Sequence, residues 1–491
     1  MAESLSPDVQ TRLGNSTRGD VHGWVYARIE GSPANRGFQH GYWLANELRE
    51  ALRCIRYLIF QDTGMTFDWF AANAQALFET MLRSNFGGKL TDGSGSDVIQ
   101  EIEGIVAGAN AHRGPNDAEI TLADVIGWNA YPEMICQWWP AVSSGHLKPL
   151  VPMDASDAKR SAQLTAPKPV TKPAHHFSHC CSSFMAVGDH TSDGGIVAAQ
   201  TTWQRFANGD AYNIVLDIQP DRGQRLLMQS VPGYIYSSTD FWVTGAGLIV
   251  AETSLNTAGF QPDQLPEFFR ARRAGQYADS ITSWCDLFKF GNNGGYVNTW
   301  LLGDTHRNEI AAYELTLSHD ILQPVLKSGC YASCNIPLSV EVRNLDQSGP
   351  SGFDNVLVSA GRRVRFDQLM AEHKGKIDAD LAQHILADHH DLYLRKDTPS
   401  GRTICGHFDT DDGRFPGGQS PHYPWGSLDG KVSTTKLAAE MKLLARWGRA
   451  CGTPLNVEAF YAHNPQYEWL RGYMRDRPTQ PWTLFPQQVE S

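Results

Sequence analysis

No run of apolar residues in this chain approaches the ~18 that a membrane-crossing helix needs, so nothing in it reads as a membrane span. Concentrated basic charge is equally scarce. The net charge of -11 is spread thinly over 491 residues, whereas a nucleic-acid backbone is gripped by clustered lysine and arginine. Nucleic acid is therefore not an expected partner. The opening segment MAESLSPDVQTRLGNSTRGD has neither the basic nor the apolar region of a secretory signal, which makes a cytoplasmic address the expectation. G-x-S-x-G, G-x-G-x-x-G, a Walker loop and H-E-x-x-H are also missing, and with them the basis for a serine-hydrolase elbow, a nucleotide site or a zinc protease. Nine cysteines form an odd, scattered set rather than a disulfide framework, and most are expected to be reduced, buried and packed as small hydrophobes. No internal repeat is present, and no cofactor or metal is expected.

What the chain does have is ordinary globular composition, 41% hydrophobic and 19% charged, and length enough for two or three domains. The first third reads helical. Leu44, Leu48, Leu52, Ile55 and Ile59 recur at helical spacing between Gly37 and Phe60. Gly37, Gly41 and Ala45 put small residues on one face, where another element can approach closely. A second helix is expected from Asp97, boxed with Gln100, and a third after Thr121, with Asp124 three residues on. Residues 143–178 then carry five prolines and little that could reach a core, so 143–180 reads as an extended linker.

Beyond the linker the texture turns to strands. SSFMAVG (182–188), the turn Ser192-Asp193-Gly194-Gly195 and IVAAQTTW (196–203) make a hairpin signal. Further strands are read at 212–218, 225–231, 247–252, 296–304 and 309–316, and helices at 265–289, 356–372 and 434–448. Strands in runs with helices clustered between them indicate an α+β fold.

The linker ends in HHFSHCCSSF. A loop simply meeting a strand is one reading. A metal site is another, with His175, His176, His179, Cys180 and Cys181 as ligands and Cys330 and Cys334 as further ones, although no second CxxC or HxxxH is present. Chemistry offers the third. A cysteine at a strand start can attack the preceding carbonyl, move the acyl group from nitrogen to sulfur, and let water free a new N-terminus. The product carries a thiol and its own α-amine, whose pKa near ~7.7–8 suits it to act as base for that thiol.

The string His179-Cys180-Cys181-Ser182-Ser183-Phe184, with Gln200-Thr201-Thr202-Trp203 on the next strand, resembles the phospholipase B-like hydrolases. These are similar to the isopenicillin N acyltransferase-like group of N-terminal-nucleophile (Ntn) hydrolases. Tyr296-Val297-Asn298-Thr299-Trp300 with Glu314, Val325-Leu326-Lys327, Cys334-Asn335-Ile336-Pro337, Ser400-Gly401-Arg402-Thr403-Ile404-Cys405 and Asp429-Gly430-Lys431-Val432 follow in the family's order. The resemblance implies a four-layer αββα sandwich, Cys181 as nucleophile and a cut between Cys180 and Cys181, with Cys180 the alternative nucleophile. A helical 1–142 segment and the 143–180 linker would precede a catalytic 181–491 chain. It implies Asn298 as the oxyanion donor and Gln200, Thr201, Trp203, Glu314, Lys327 and Asn335 as supporting residues. Gln200-Thr201 stands where the family commonly has His-Asn, which removes a titratable group. The expected reaction is hydrolysis of a small N-acyl amide through a thioester. Acyl transfer and phospholipase B-like ester hydrolysis are the alternatives, and a non-enzymatic metal module is a more distant one. The expected partners are the substrate and the chain's own cleaved fragment, and a homo-oligomer is compatible with the sequence. His384, Asp388, His389, His390 and Asp391 could suggest a metal but read rather as a solvated helix end.

Overall fold

The computed structural model describes residues 5–86, 89–90, 93–154, 180–346, 353–354, 356, 359–412 and 421–487. The side chain of Cys180 and most of the linker, 155–179, lie outside the described residues. No described helix is long and apolar enough to cross a membrane.

The fold is α+β. Among the described residues two large sheets dominate. A nine-stranded sheet runs from edge to edge through Thr17–Val21, Trp24–Gly31, Ile214–Pro220, Leu226–Ser230, Trp242–Thr244, Leu248–Ser254, Asn298–Asp304, Glu309–Leu315 and Asp320–Leu322. A seven-stranded sheet runs through Gly329–Ser333, Cys180–Val187, Val197–Arg205, Asp429–Thr434, Leu443–Trp447 and Thr483–Phe485, with Trp425–Ser427 also paired to Val197–Arg205. The segment VYARIEG joins the first sheet by parallel pairing of Trp24–Gly31 with Ile214–Pro220.

Alternation along Cys180–Val187 shows what each face of the second sheet meets. Met185 and Val187 enter the core shared with the nine-stranded sheet. Phe184 and Ala186 enter a separate core with Phe366, Leu369, Ile385 and Leu386, which come from the helices Ser359–Glu372 and Ala379–Leu386. Successive side chains of a strand point to opposite faces, so Cys181 shares the Met185 face and looks toward the nine-stranded sheet.

The helical first third packs through its glycines. Ser32 caps the helix Pro33–Trp43, and this helix crosses Ser94–Ala111 backbone to backbone. A Cβ at Gly37 would stand 2.1 Å from the Glu101 carbonyl oxygen, and one at Gly108 would stand 2.0 Å from that of Phe38. Any side chain larger than hydrogen would push the pair apart. At the same junction the buried Arg36 and Arg272 reach Glu101 at 2.6 and 3.0 Å. Removing one member would leave an uncompensated buried charge, a loss of about 3–5 kcal/mol. Since Arg272 lies in the helix Glu267–Tyr277, this network ties the first third to the later chain.

Several local expectations are corrected. The helix expected across 37–60 is two, Pro33–Trp43 and Ala45–Thr63, separated at Leu44. The Asp97 box is not formed. The helix begins at Ser94, and the Asp97 carboxylate instead accepts from Arg222 and Tyr277 at 2.6 and 2.8 Å. The Thr121–Asp124 box is present. The helix expected at 434–448 is present only as Thr435–Ala439, and the second half of the span is strand. Leu443, Ala445 and Trp447 are buried in alternation because Leu443–Trp447 lies between Asp429–Thr434 and Thr483–Phe485. The start of the linker is not detached from the core. Val151 exchanges hydrogen bonds with Asn73 and accepts one from Trp69 Nε1, and Leu147 and Met153 pack on the main core.

Candidate active site

Every polar atom of Cys181 is engaged. Its backbone N–H donates to Asn335 Oδ1 at 3.1 Å, its carbonyl accepts from Arg362 Nη1 at 2.6 Å, and its sulfur lies 3.6 Å from Glu252 Oε1. The residue has no exposed surface. Asn335 can present its oxygen because its amide nitrogen is committed elsewhere, donating to the Ser254 carbonyl at 2.8 Å. That leaves Oδ1 for two donors, Cys181 N and Arg362 Nη2. Arg362 is steadied from below by the Trp203 ring, 4.2 Å from its guanidinium carbon.

Buried charge from both sheets adjoins the site. Lys431 donates to Thr202 Oγ1 and Gln229 Oε1 at 2.6 and 2.5 Å and pairs with Asp429 at 3.2 Å. Burial first, then repulsion from Asp240, holds the Glu252 carboxyl well above the ordinary range, against the pull of Cys181 and the Lys431 ammonium. Burial also pushes Asp240 up to about 8, with Lys431 and the Ser238 backbone pulling the other way. These two carboxyls therefore keep protons at a pH where ordinary ones have lost them.

Backbone strain gathers at the same place. Ser238, Asp240, Tyr296 and Asn335 all have positive φ, at 65°, 52°, 44° and 67°. Non-glycine residues rarely adopt that region, and surrounding contacts must hold them there. Within 232–241, Ser237 Oγ donates to Gln229 O and accepts from Phe241 N, and the helical first third holds 232–235. Asn129 donates to Gly233 O and accepts from Ile235 N at 2.8 and 2.9 Å, Trp128 Nε1 donates to Pro232 O at 3.0 Å, and His40 Nε2 accepts from Gly233 N at 2.8 Å.

The residues singled out from the sequence fall into two groups. Asn335 and Gln200 are at the centre, Gln200 Nε2 donating to the Glu252 carbonyl at 2.7 Å. Asn298 stands opposite Ser254 in the strand register, and the period of two puts it on the same face as Glu252, one diagonal away. Its amide is buried, and neither Oδ1 nor Nδ2 has a partner among the described residues. Trp203 acts through Arg362. Thr201 points to the other face of its strand, bonded to Ser427 at 2.6 Å. Glu314 binds Thr299, Leu338 and Ser339. Lys327 is exposed and its carbonyl borders Gly188, beyond the far end of the Cys180–Val187 strand. Neither Thr201 nor Lys327 is brought to the sulfur.

Glu252, Asp240, Arg362 and the role of Lys431 were not anticipated. Lys431 lay in a quoted motif and Glu252 in the strand expected at 247–252 and found at Leu248–Ser254, but no local signal marks Glu252 as the neighbour of Cys181 or Lys431 as the partner of Gln229. Among the described residues Cys330 and Cys334 do not join Cys181 in a ligand cluster. His175, His176 and His179 lie outside the described residues.

Comparison with known proteins matches residues 94–480 to the Phospholipase B family. The chain is 24% identical over 332 residues to "Phospholipase B" of Crotalus adamanteus, covering 61% of this chain and 57% of that protein. It is 22% identical over 297 residues to "Phospholipase B-like protein B" of Dictyostelium discoideum, covering 55% and 48%. It is 28% identical over 149 residues to "Phospholipase-B 81" of Drysdalia coronoides, covering 27% of each. Each match thus spans less than two thirds of the relative's own length. With the family's pattern matched from residue 94 through residue 480, this chain belongs to the phospholipase B family.

Proposed function

We propose that the chain is a self-activating acyl hydrolase of the Ntn type, with Cys181 as nucleophile in a four-layer αββα framework. The observation that carries this reading is the thiol of Cys181 lying 3.6 Å from a buried glutamate whose affinity for protons is raised. In the intact chain the nitrogen of Cys181 is an amide and cannot serve as base. Glu252 supplies one. Its carboxylate takes the Sγ proton, and the thiolate attacks the Cys180 carbonyl carbon. The C–N bond breaks, the departing amine takes the proton back from Glu252, and the acyl group rests on sulfur. Water then hydrolyses the thioester, leaving a Cys180 carboxylate and a free Cys181 thiol and amine.

In the cleaved protein the new α-amine, with an ordinary pKa near ~7.7–8, is close enough to neutrality to deprotonate the thiol for each turnover. Asn335 Oδ1 already receives a hydrogen bond from that nitrogen and would keep it oriented. Asn298, with a buried amide that has no partner among the described residues, is suited to donate to the oxyanion. The residue has no exposed surface, so substrate access requires its surroundings to rearrange. The 1–180 fragment would stay bound, because it contributes Thr17–Val21 and Trp24–Gly31 to the nine-stranded sheet.

The substrate of first choice is a small N-acyl amide, since self-cleavage is itself attack on an amide. An ester is the second reading, favoured by the relatives' phospholipase B names. Water or an amine can resolve the same thioester, giving hydrolysis or transfer. Intact mass and N-terminal sequencing of the purified protein test the scheme. Two co-purifying fragments are expected, the larger beginning at Cys181, while Cys181→Ala stays whole and inactive. Assays on acyl amides and lysophospholipids then choose the bond. A wild-type protein that hydrolyses acyl substrates while remaining one chain overturns the proposal.

A further inference from the structure

A second buried cluster stands apart from Cys181. His389, Cys405, His407 and Cys451 come from three separate segments, and their ligand atoms all lie within 4.8 Å of one another. The Cys405 amide donates to the Asp388 carbonyl at 3.2 Å, which brings His389 beside the Cys405–His407 segment. Cys451 arrives from the turn after Leu443–Trp447.

The contacts converge on one atom. His407 Nε2 lies 3.1 Å from His389 Nε2, 3.4 Å from Cys405 Sγ and 3.5 Å from Cys451 Sγ. An imidazole nitrogen has either one proton or one lone pair, so it cannot satisfy three such neighbours by hydrogen bonding. A cation at their centre uses one lone pair from each. The spacing also fits. With Zn–N near ~2.05 Å and Zn–S near ~2.3 Å, a tetrahedron has N–N edges of about 3.3 Å and N–S edges of about 3.6 Å.

We propose that His389, Cys405, His407 and Cys451 form a structural zinc site. Two thiolates and two neutral imidazoles balance a divalent ion to zero net charge, which suits a buried setting, and two sulfur with two nitrogen donors select zinc by type. All four positions are filled by protein, as in sites that hold structure instead of activating water. The Thr453 amide points at the Cys451 sulfur from 3.4 Å, a donor suited to a thiolate. The site clamps the segment whose Gly406 packs on the Trp203 ring, the ring that supports Arg362. It owes nothing to the proposed reaction, and its test reads metal, not turnover.

The full chain, purified without a metal-affinity tag, should contain about one zinc per molecule by plasma mass spectrometry. Chelation should lower Tm by several degrees, and added zinc should restore it. The Cys405→Ser, Cys451→Ser double variant should lose the metal. Because that variant can fail to fold, wild-type protein is also loaded with Co2+. Intense visible ligand-field bands and thiolate-to-cobalt charge transfer are expected for a tetrahedral site with sulfur donors. A zinc-free protein in which Cys405 and Cys451 are joined as a disulfide, or in which both are readily alkylated in the native state, overturns the proposal.

Discussion

Two fully buried glutamates on the nine-stranded sheet are treated in opposite ways. Glu314 accepts from Thr299 Oγ1, the Leu338 amide, and both the amide and hydroxyl of Ser339, at 2.7, 2.7, 2.9 and 2.5 Å. Glu252 meets only a thiol, 3.6 Å away, and its Oε2 has no partner among the described residues. Surrounding donors fix the first carboxylate as a staple for the turn after Gly329–Ser333. Their absence leaves the second poised to gain or lose a proton. Burial alone therefore does not mark a candidate reactive group, whereas a buried acid with few donors and a thiol beside it does.

The comparison can be broken most sharply at Glu252. Glu252→Gln keeps the volume and removes the base, so processing of the Cys180–Cys181 bond should slow by about 10²–10⁴-fold in a time course of intact mass. In the wild type that rate should climb as rising pH strips the carboxyl of its proton. Glu314→Ala should do the reverse. It leaves buried donors unpaired and should destabilise the fold by about 3–5 kcal/mol in urea denaturation, with the folded fraction still processed at the normal rate.

A smaller effect is expected at Asn298. Asn298→Ala should lower kcat by about 10²-fold once a substrate is in hand, with little change in stability because the amide has no partner to lose among the described residues. The smallest effect sharpens the electrostatic side of the contrast. Asp240 is held at about 8 when folded but titrates near ~3.9 unfolded. Between those values the folded state binds the extra proton, so this contribution to stability is complete at low pH and is lost as pH rises toward 8. Asp240→Asn should flatten that decline between about pH 5 and about pH 8, as read by urea denaturation across that range.

Much of this was legible along the chain. SSFMAVG and the turn after it identified the strand and its hairpin, and the structure divides its faces between Met185 and Phe184. Gly37 and Gly41 announced a close helix contact, and Gly104 and Gly108 supply its other half. The run of alanine and leucine at 434–448 held as helix only over Thr435–Ala439, because helical spacing is overridden where neighbouring strands offer pairing on both sides, as they do for Leu443–Trp447. Arg362 was invisible as a site residue because its partner, the Cys181 carbonyl, is 181 positions away. His389 was grouped with its chain neighbours, yet His390 turns to Asp397 and Asp388 to Arg365. Asp391 turns inward to Ser400 and Arg402, and His389 turns to Cys405, His407 and Cys451.

The sequence by itself determined the strand that begins at Cys180, the family pattern and the candidate nucleophile, because these depend on residue order and short-range periodicity. Tertiary structure decided which acid faces the sulfur, which asparagine holds its nitrogen and which cysteines and histidines converge. Those choices are made where strands distant in sequence stack face to face, and no local pattern encodes a distance between them.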